Sequence, residues 1–387
     1  MSIPLAYNLR SAFVRKGATI LTVTAIGFAV AVLVLVLALA RGFELALAGT
    51  GSDHNAILLR AGATSEGVSG ITRDQARILG VADFVARDAD GVPLAQPEVY
   101  AAFSLEKEGG GKTNIPVRGT GPRGFDLRDG LRMASGRMFV PGRYELVAGK
   151  SLVGRVPGLE VGGTVTLSGY AWRVVGILDG GGQAYDSELW IDVEIFLRVL
   201  DRPGFSTMIV RLADPSQLAA INARLAGDPR LTVAGKTERQ YFVEQSGTLA
   251  IALKILAWFL AAIMGTGAVF GATNTMLASV AMRTHEIGTL LAIGFRPRAV
   301  YLGFLVEASA LALCGGVLGV ALGWQCNGIA TGTTNWTTFT EQSFAFRVTP
   351  DVVVQALLLA LLIGVVGGAL PARRAARLPP SAALRAM

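Results

Sequence analysis

The sequence is poor in the side chains that most often build catalytic and metal sites. Its 387 residues include two cysteines and two histidines, and charged residues make up 16% of the chain. Residues 42–247 contain one histidine, His54, and no cysteine, so neither a zinc site nor a Cys/His nucleophile can be assembled there. Cys314 and Cys326 are twelve residues apart. That spacing is about 18 Å along a helix, which is too far for a disulfide bond.

A complete phosphate-binding loop is also lacking. The tetrapeptide Ala148-Gly-Lys-Ser151 resembles the end of such a loop, but the position five residues before Gly149, where the motif requires glycine, holds Tyr144. We interpret the tetrapeptide as a turn between a strand and a helix. The chain is therefore predicted to be non-catalytic and to bind neither a metal nor a cofactor of its own.

Long apolar runs, in contrast, are abundant. Residues 17–40 form one uncharged run, and three more lie within residues 255–282, 299–324 and 352–372. Each exceeds the roughly 20 residues that a helix needs to cross the hydrocarbon core of a bilayer. Ala38-Leu-Ala40 resembles a signal cleavage site, but the first run is longer than the apolar core of a secretory signal. We therefore predict an α-helical membrane protein with four transmembrane helices, the first of them uncleaved.

Basic residues flank these runs on one side of the predicted membrane. Ten of them lie at the termini and in the 283–298 loop: Arg10, Arg15, Lys16, Arg283, Arg296, Arg298, Arg373, Arg374, Arg377 and Arg385. Because basic residues in short loops stay in the cytoplasm, we expect a multi-pass protein of the inner (cytoplasmic) membrane with both termini in the cytoplasm. This asymmetry explains the net charge of +7, since residues 42–247 carry 22 basic and 24 acidic side chains. We expect contact with anionic membrane lipid and no nucleic-acid partner.

The segment between the first two runs is long enough to fold as a domain with its own core. Residues 164–178 are rich in β-branched and aromatic side chains around a turn at Gly169, which predicts a hairpin. A strand at 207–212, a helix at 214–225 and a strand at 231–233 predict a βαβ-like unit. We therefore expect a large α+β extracytoplasmic domain inserted between helices 1 and 2.

The predicted organisation has nine segments. They are a cytoplasmic N-terminal segment (1–16), transmembrane helix 1 (17–41), the extracytoplasmic α+β domain (42–247), transmembrane helix 2 (248–282), a cytoplasmic coupling segment (283–298), transmembrane helix 3 (299–325), an extracytoplasmic loop (326–350), transmembrane helix 4 (351–372) and a cytoplasmic tail (373–387).

Glu307 is the one formally charged residue between Arg298 and Glu341, inside the third predicted helix. A carboxylate within a membrane is costly unless it is paired, protonated or near an interface, so Glu307 is a candidate functional residue. We weigh a structural hydrogen bond to a neighbouring helix or loop against an ion pathway and against a role in relaying motion.

Glycines recur at every fourth residue in two predicted helices. Gly315, Gly319 and Gly323 follow this spacing in the third helix, and Gly267 and Gly271 follow it in the second. Small residues four apart let helix backbones approach closely. We expect these glycines to pack helices together, within one chain or across a dimer.

The loop after the second run carries a short motif, Ala-Ser-Val-Ala-Met-Arg-Thr-His-Glu-Ile-Gly-Thr-Leu-Leu-Ala-Ile-Gly-Phe, at residues 278–295. It resembles the coupling-helix segment of the MacB-like or FtsX-like family of ABC transporter permeases. The matching residues are Arg283, Glu286, Ile287, Gly288, Ala292 and Gly294, and His285 stands where the family more often has Arg or Lys. The resemblance implies that this segment docks an ATPase. A simple intrahelical pair between Arg283 and Glu286 is the alternative role of those two side chains.

Two further regions are similar to the same family. In the tail, Pro371, Pro380, Leu384 and Arg385 match a C-terminal motif in which Pro and small residues close the last helix. Residues 136–139, 147–149, 161–163 and 173–177 are similar, in order, to the middle of the MacB-type extracytoplasmic domain. The resemblance thus extends over nearly the whole chain.

The resemblance implies a half-transporter in which two permease chains, identical or paralogous, each dock an ABC-type ATPase that binds ATP and Mg²⁺. MacB itself carries its ATPase fused at the N-terminus, whereas some 16 residues precede the first run here, so we expect the ATPase on another polypeptide. The implied mechanism is mechanotransmission, in which closure of the ATPase dimer is relayed to the extracytoplasmic domains.

The expected function is export or extraction of an amphipathic or hydrophobic cargo. A periplasmic adaptor and an outer-membrane protein are further candidate partners. The alternative is an FtsX-type regulatory assembly that activates an extracytoplasmic cell-wall hydrolase, although relatives of that type generally carry a much smaller outer domain.

Overall fold

The structure is a computed structural model that describes residues 16–335 and 338–379. It contains two compact units. Among the described residues, a helical unit comprises residues 16–41, 251–329 and 346–379. An α+β unit comprises residues 42–250 and 330–345. Arg10, Arg15, Pro380, Leu384 and Arg385, which the sequence analysis singles out, lie outside the described residues.

Nine α-helices occur in the described part of the chain. They are α1 (Lys16–Ala48), α2 (Arg73–Gly80), α3 (Pro122–Asp126), α4 (Val193–Val199), α5 (Leu218–Gly227), α6 (Glu238–Met282), α7 (Thr284–Ala292), α8 (Pro297–Trp324) and α9 (Pro350–Ala376). Four of these, α1, α6, α8 and α9, are long and apolar enough to cross a membrane, in agreement with the prediction. Two extend well past the predicted spans, since α1 continues to Ala48 and α6 begins at Glu238.

The strands are β1 (Asn55–Arg60), β2 (Ala95–Glu106), β3 (Lys112–Thr120), β4 (Arg132–Gly136), β5 (Glu145–Gly149), β6 (Thr164–Leu167), β7 (Tyr170–Asp179), β8 (Leu189–Asp192), β9 (Thr207–Arg211), β10 (Val233–Thr237), β11 (Ala330–Thr334) and β12 (Glu341–Ala345). The first ten form one mixed sheet in the order β10-β1-β9-β2-β3-β8-β5-β7-β4, with β6 paired to β7. The α+β class predicted for the inserted domain is therefore confirmed.

Two local predictions in this unit are confirmed. Strands β6 and β7 form the predicted hairpin, with Leu167 opposite Tyr170 across the turn at Gly169. Strands β9 and β10 flank helix α5 in sequence, and both pair antiparallel with β1, so they are parallel to each other with β1 between them. The second strand of this βαβ-like unit begins at Val233, two residues later than the predicted start at Leu231.

The core of the α+β unit lies on the sheet and is apolar. Trp172, Leu146 and Ile191 are fully buried within it, together with Phe196 from α4. The tetrapeptide at 148–151 ends strand β5 at Gly149 and begins a short 3-10 helix (Lys150–Leu152), as the turn interpretation predicts.

Small residues bring the helices of the helical unit close together. A Cβ added to Gly319 of α8 would lie 2.6 Å from the carbonyl oxygen of Gly27 and 2.7 Å from Cβ of Val30, both in α1. On the other side of α8, a Cβ added to Gly316 would lie 2.7 Å from Cβ of Ala360 in α9. Helix α8 is therefore packed between α1 and α9 at distances that larger side chains do not permit.

Candidate functional site

The segment from Arg283 to Arg298 contains the short helix α7, which begins just after Arg283 and ends in a glycine cap. Arg283 occupies the position before its first residue. At the other end Gly294 adopts φ +99°, the amide of Gly294 donates to the carbonyl of Leu291 at 3.2 Å, and the amide of Phe295 donates to that of Leu290 at 3.1 Å. This pair of hydrogen bonds is a Schellman cap, which requires a residue that tolerates positive φ. The cap accounts for the glycine at position 294.

One face of α7 is packed against the long helices. Ile287 is 3% exposed and belongs to a buried cluster with residues from all three neighbouring membrane helices: Met276 and Val280 of α6, Val300, Phe304 and Ala308 of α8, and Ala372 and Ala375 of α9. Gly288, the next residue, is also buried. The isoleucine and glycine of the motif therefore hold α7 against the helical unit.

The motif residues other than Arg283, Ile287 and Gly288 lie on the open side of the segment. His285, Glu286, Ala292 and Gly294 are exposed, as are Arg296 and Arg298 beyond the cap. Between them Ile293 exposes 72% of its surface. We call the surface formed by His285, Glu286, Ala292, Ile293, Gly294, Arg296 and Arg298 the α7 ridge. An exposed large apolar side chain surrounded by charges of both signs is suited to binding a protein partner.

Arg283 pairs with the carboxylate of Glu307, which the apolar pattern predicts to lie inside the third membrane helix. Its Nη1 lies 3.2 Å from Oε2 of Glu307 in α8, and both side chains are nearly buried, at 12% and 6% exposure. A charged pair with this little exposure is costly to break by removing one partner. The structure thus gives Glu307 a partner from the motif and attaches the start of α7 to α8.

The remaining predicted site residues fall in three groups. Gly315, Gly319 and Gly323 all face α1, where added Cβ atoms would collide with Ile26, Val30 and Val34 respectively. Cβ atoms added to Gly267 and Gly271 would meet nothing within 4 Å, so their role in packing across a dimer stays a prediction. Pro371 is buried inside α9.

A second polar assembly, which the sequence analysis did not identify, lies inside the α+β unit. The guanidinium of Arg118 on β3 donates to three buried carboxylates, with contacts of 2.7 Å to Glu66, 2.8 Å to Glu98 and 2.7 Å to Glu188. Arg128 donates to Glu98 at 2.7 Å and to Glu238 at 3.1 Å. We call these six residues the Arg118 cluster.

The Arg118 cluster fixes the first residue of the long helix α6. Glu238 accepts hydrogen bonds from the amide of Ser52 at 3.1 Å, from Nδ2 of Asn55 at 3.0 Å and from the hydroxyl of Tyr185 at 2.6 Å, in addition to Arg128. A carboxylate at a helix N-terminus also complements the helix dipole. The start of α6 is therefore attached to the sheet by several directional bonds.

The cluster contains four carboxylates and two guanidinium groups, so it is not neutral when all are ionised. Burial opposes the ionisation of Glu98, but Arg128 and Arg118 outweigh it and lower the pKa of Glu98 to about 2. Burial raises the pKa of Glu66, and its hydrogen bonds and attraction to Arg118 offset this only in part. Glu66 is therefore the carboxylate of this pair that more readily accepts a proton.

The fold and these sites together define a class of protein. Four apolar helices, an α+β domain inserted after the first, and a short helix between the second and third with an open charged ridge are features of a membrane protein. Within the described residues, no group of three or more His, Cys, Asp or Glu side chains is positioned to hold a metal ion.

Comparison with known proteins identifies the family. Residues 19–227 match the MacB-like periplasmic core domain, and residues 258–380 match the FtsX-like permease C-terminal domain. The chain belongs to the MacB-like, FtsX-like family of ABC transporter permeases. The resemblance stated from the motifs is thereby confirmed.

The matching relatives are longer than this chain. A macrolide export ATP-binding/permease protein MacB from Acinetobacter baylyi is 32% identical over 58% of this chain and 34% of the relative. The protein of the same name from Agrobacterium fabrum is 27% identical over 85% of this chain and 52% of the relative. The chain therefore spans about a third to a half of the length of these relatives.

Two solved structures are similar to parts of the chain. The periplasmic region of MacB from Actinobacillus actinomycetemcomitans is 14% identical, with a TM-score of 0.37 over 50% of this chain and 92% of that one. The extracellular domain of the noncanonic ABC-type transporter YknZ from Gram-positive bacteria is 16% identical, with a TM-score of 0.35 over 47% of this chain and 100% of that one.

Proposed function

We propose that this chain is the membrane subunit of a MacB-type ABC transporter. An ABC-type ATPase, which binds ATP and Mg²⁺, docks on the α7 ridge at the cytoplasmic side of the inner membrane. Its ATP-driven motion is relayed through the helices to the α+β unit, which moves an amphipathic or hydrophobic cargo. The proposal rests on the difference between the two sides of the α7 segment: Ile287 is buried against the helical unit, whereas Ile293 is exposed.

A relay helix must be attached to the helices that it moves. Helix α7 meets this requirement at its start, where Arg283 pairs with Glu307, and along its inner face, where Ile287 belongs to a buried cluster with residues of α6, α8 and α9. A force on the ridge is therefore transmitted to the three helices without first compressing a loop, because packed interiors have low compressibility.

The family match supports the wider assembly. Two permease chains, identical or paralogous, and two ATPase subunits would form the transporter, with an adaptor and an outer-membrane protein as further candidate partners. The match of residues 19–227 to the MacB-like periplasmic core domain favours export or extraction over activation of a cell-wall hydrolase, the FtsX-type alternative. The relatives named for macrolide export are described as both ATP-binding and permease proteins, which supports an ATP-binding partner for this chain.

The experiment that tests docking is charge reversal on the ridge. Glu286→Lys is expected to abolish co-purification of the ABC-type ATPase with the tagged chain, and to abolish the permease-dependent part of ATP hydrolysis in lipid nanodiscs. Glu160→Lys is the matched control, since Glu160 is an exposed carboxylate of the α+β unit. An unchanged amount of bound ATPase in the Glu286→Lys sample, with equal yield of folded chain, would refute docking on this ridge.

A further inference from the structure

The connection between α8 and α9 carries two charged side chains, Glu341 and Arg347. From residue 325 to residue 346 the only Asp, Glu, Lys or Arg is Glu341. The connection forms the β11–β12 hairpin, with Glu341 opposite Thr334 at the end of the ladder nearer the turn. Residues 330–345, which fall within the extracytoplasmic loop predicted at 326–350, are part of the compact α+β unit.

The charge of Glu341 is held by residues from separate parts of the α+β unit. Nζ of Lys107, between β2 and β3, lies 2.8 Å from its Oε2, and the side chain of Glu341 is 12% exposed. Its carboxylate also accepts hydrogen bonds from the hydroxyl of Thr113 on β3 and from the guanidinium of Arg155, which follows β5. We call Glu341 with these three partners the hairpin clamp.

A steric constraint explains why position 332, near the clamp, holds a glycine. Gly332 on β11 lies beside Glu341, and a Cβ there would stand 2.6 Å from Oε1 of Glu341 and 2.7 Å from Nη2 of Arg155. Both are polar atoms of the ion pair itself. A larger side chain at position 332 would therefore shift the ends of these two side chains and disturb their ion pair, without removing either charged group.

Further contacts fix the hairpin along its length. The amide of Ser343 donates to the hydroxyl of Ser187 at 2.9 Å, and Nδ2 of Asn335 donates to Oε1 of Gln245 at 3.3 Å. Phe344 is 5% exposed and packs edge-on against Phe43 with ring centroids 5.4 Å apart. The hairpin is thus a bound part of the α+β unit.

Hydrogen bonds also join the two chain segments at the base of the hairpin. The amide of Gly328 donates to the carbonyl of Phe346 at 2.9 Å, and the amide of Phe346 donates to that of Ile329 at 3.1 Å. The amide of Val348 donates to Oδ1 of Asn327 at 3.0 Å. These bonds continue the pairing of the two chain segments towards the end of α8 at Trp324 and the start of α9 at Pro350.

The hairpin contacts the same short segment that receives the two long helices. Residues 184–187 form a 3-10 helix whose first amide, that of Ala184, donates to the hydroxyl of Thr50 just after the end of α1, at 2.8 Å. Tyr185 in this segment binds Glu238 at the start of α6, and Ser187 binds Ser343 of the hairpin. Three connections to the membrane helices therefore converge on four consecutive residues.

We propose that the hairpin clamp is a positioning device that makes α8 and α9 a second relay path into the α+β unit, beside the direct path through α1 and α6. The inference rests on the proposed function, because it assumes an ATP-driven motion to relay. Glu341 acts through Lys107 and Arg155, and it holds the hairpin in register with β2 and β3. The clamp thereby transmits displacement of the α8–α9 connection to the sheet.

The test uses the full-length chain in nanodiscs with the ATPase that co-purifies with it. Hydrogen exchange is followed by mass spectrometry with ATP and vanadate and without nucleotide, in three regions: residues 283–298, the hairpin at 328–346, and strands β2–β3. The variants are Glu341→Gln and Gly332→Ala, the latter keeping every charge. Glu106→Gln is the matched control, because Glu106 is an exposed carboxylate on β2.

In the unsubstituted chain, nucleotide is expected to change exchange in all three regions. In both clamp variants, hairpin exchange without nucleotide is expected to be at least about tenfold faster, and the nucleotide response of β2–β3 to fall to less than half, while residues 283–298 respond as before. Glu106→Gln should behave as the unsubstituted chain.

The outcomes distinguish a failure of the clamp inference from a failure of the proposed function. A normal β2–β3 response in both clamp variants, or hairpin exchange unchanged in both, would overturn the clamp as a relay while leaving docking on the α7 ridge intact. Absence of a nucleotide response at residues 283–298 in the unsubstituted chain would refute the proposed function, and the clamp inference with it. If Glu341→Gln does not fold, Gly332→Ala decides the question alone.

Discussion

Replacing Arg118 by glutamine is expected to destabilise the α+β unit by about 3–5 kcal/mol, the usual cost of removing one partner from a buried ionic group. The side chain of Arg118 is 1% exposed and donates to Glu66, Glu98 and Glu188. Glutamine offers one amide group in place of five guanidinium N–H donors. Glu98 retains Arg128, but Glu66 and Glu188 lose their buried cation.

The loss is expected to depend on pH. Burial already raises the pKa of Glu66 when Arg118 is present, and removing the guanidinium raises it further, because the attraction that opposed burial is gone. A carboxyl group with a raised folded-state pKa contributes stability that is present at low pH and lost as the pH rises through that pKa. The stability that the variant loses relative to the unsubstituted chain should therefore become smaller as the pH falls from 8 towards 5. The change is up to about 1.4 kcal/mol per pH unit for each carboxyl group that takes up a proton.

Native-state hydrogen exchange of the full-length chain in detergent measures this deficit, through the protection of strands β3 and β8. Arg123→Gln is the matched control, because Arg123 pairs with Asp88 on the surface, where its side chain is 33% exposed, and should change protection little. A loss of protection for Arg118→Gln that is the same at pH 5 and pH 8, or no larger than that of the control, would refute the reasoning.

Two further predictions concern the helical unit. Gly319→Ala is expected to lower the melting temperature of the detergent-solubilised chain, since an added Cβ there meets the backbone of Gly27. An added Cβ at Gly267 meets nothing within 4 Å, so Gly267→Ala should not lower it, and equal melting temperatures would contradict the packing. Arg283→Gln and Glu307→Gln are each expected to reduce the yield of folded chain, and the double variant to restore part of it, because each single change removes the ion-pair partner of a nearly buried charge. Additive losses in the double variant would argue against the pair.

The features that the sequence predicts well are those recorded in neighbouring residues. The four membrane helices follow from uninterrupted apolar runs, and the β6–β7 hairpin follows from alternating β-formers around Gly169. The ends of the helices were harder to predict, because the apolar runs stop where the membrane is expected to stop, while α1 and α6 continue as helices into the α+β unit. Hydropathy locates a span, but it does not locate the end of a helix.

The motif at residues 283–294 illustrates what a resemblance leaves open. It identified the segment, but it did not separate residues that face a partner from residues that hold the helix. In the structure Ile287 is buried and Gly294 forms a cap, whereas Glu286 is exposed. The division depends on the rotation of α7 against α6, α8 and α9, which is set by packing between segments far apart in sequence.

The Arg118 cluster and the hairpin clamp were missed for the same reason. The carboxylates of the cluster come from four separate segments, at Glu66, Glu98, Glu188 and Glu238, and each one taken singly reads as an ordinary surface charge. A signal for Arg118 was present, since it follows Ile115, Pro116 and Val117 in an apolar strand, but nothing local indicates its partners. Buried charges become predictable only when the sheet order is known.

The chemistry of these attachments bears on how a relay would work. An apolar contact between the helix ends and the sheet would be non-directional, so one surface could slide past the other at little cost. At Glu238 the attachment instead consists of hydrogen bonds from Ser52, Asn55, Tyr185 and Arg128, each with a preferred length and angle. A displacement of α6 must either carry the sheet with it or break several buried polar bonds at once. Breaking these bonds is unfavourable, because each polar group left without a partner in the interior costs about 1–3 kcal/mol or more of free energy. A displacement of α6 is therefore expected to move the sheet.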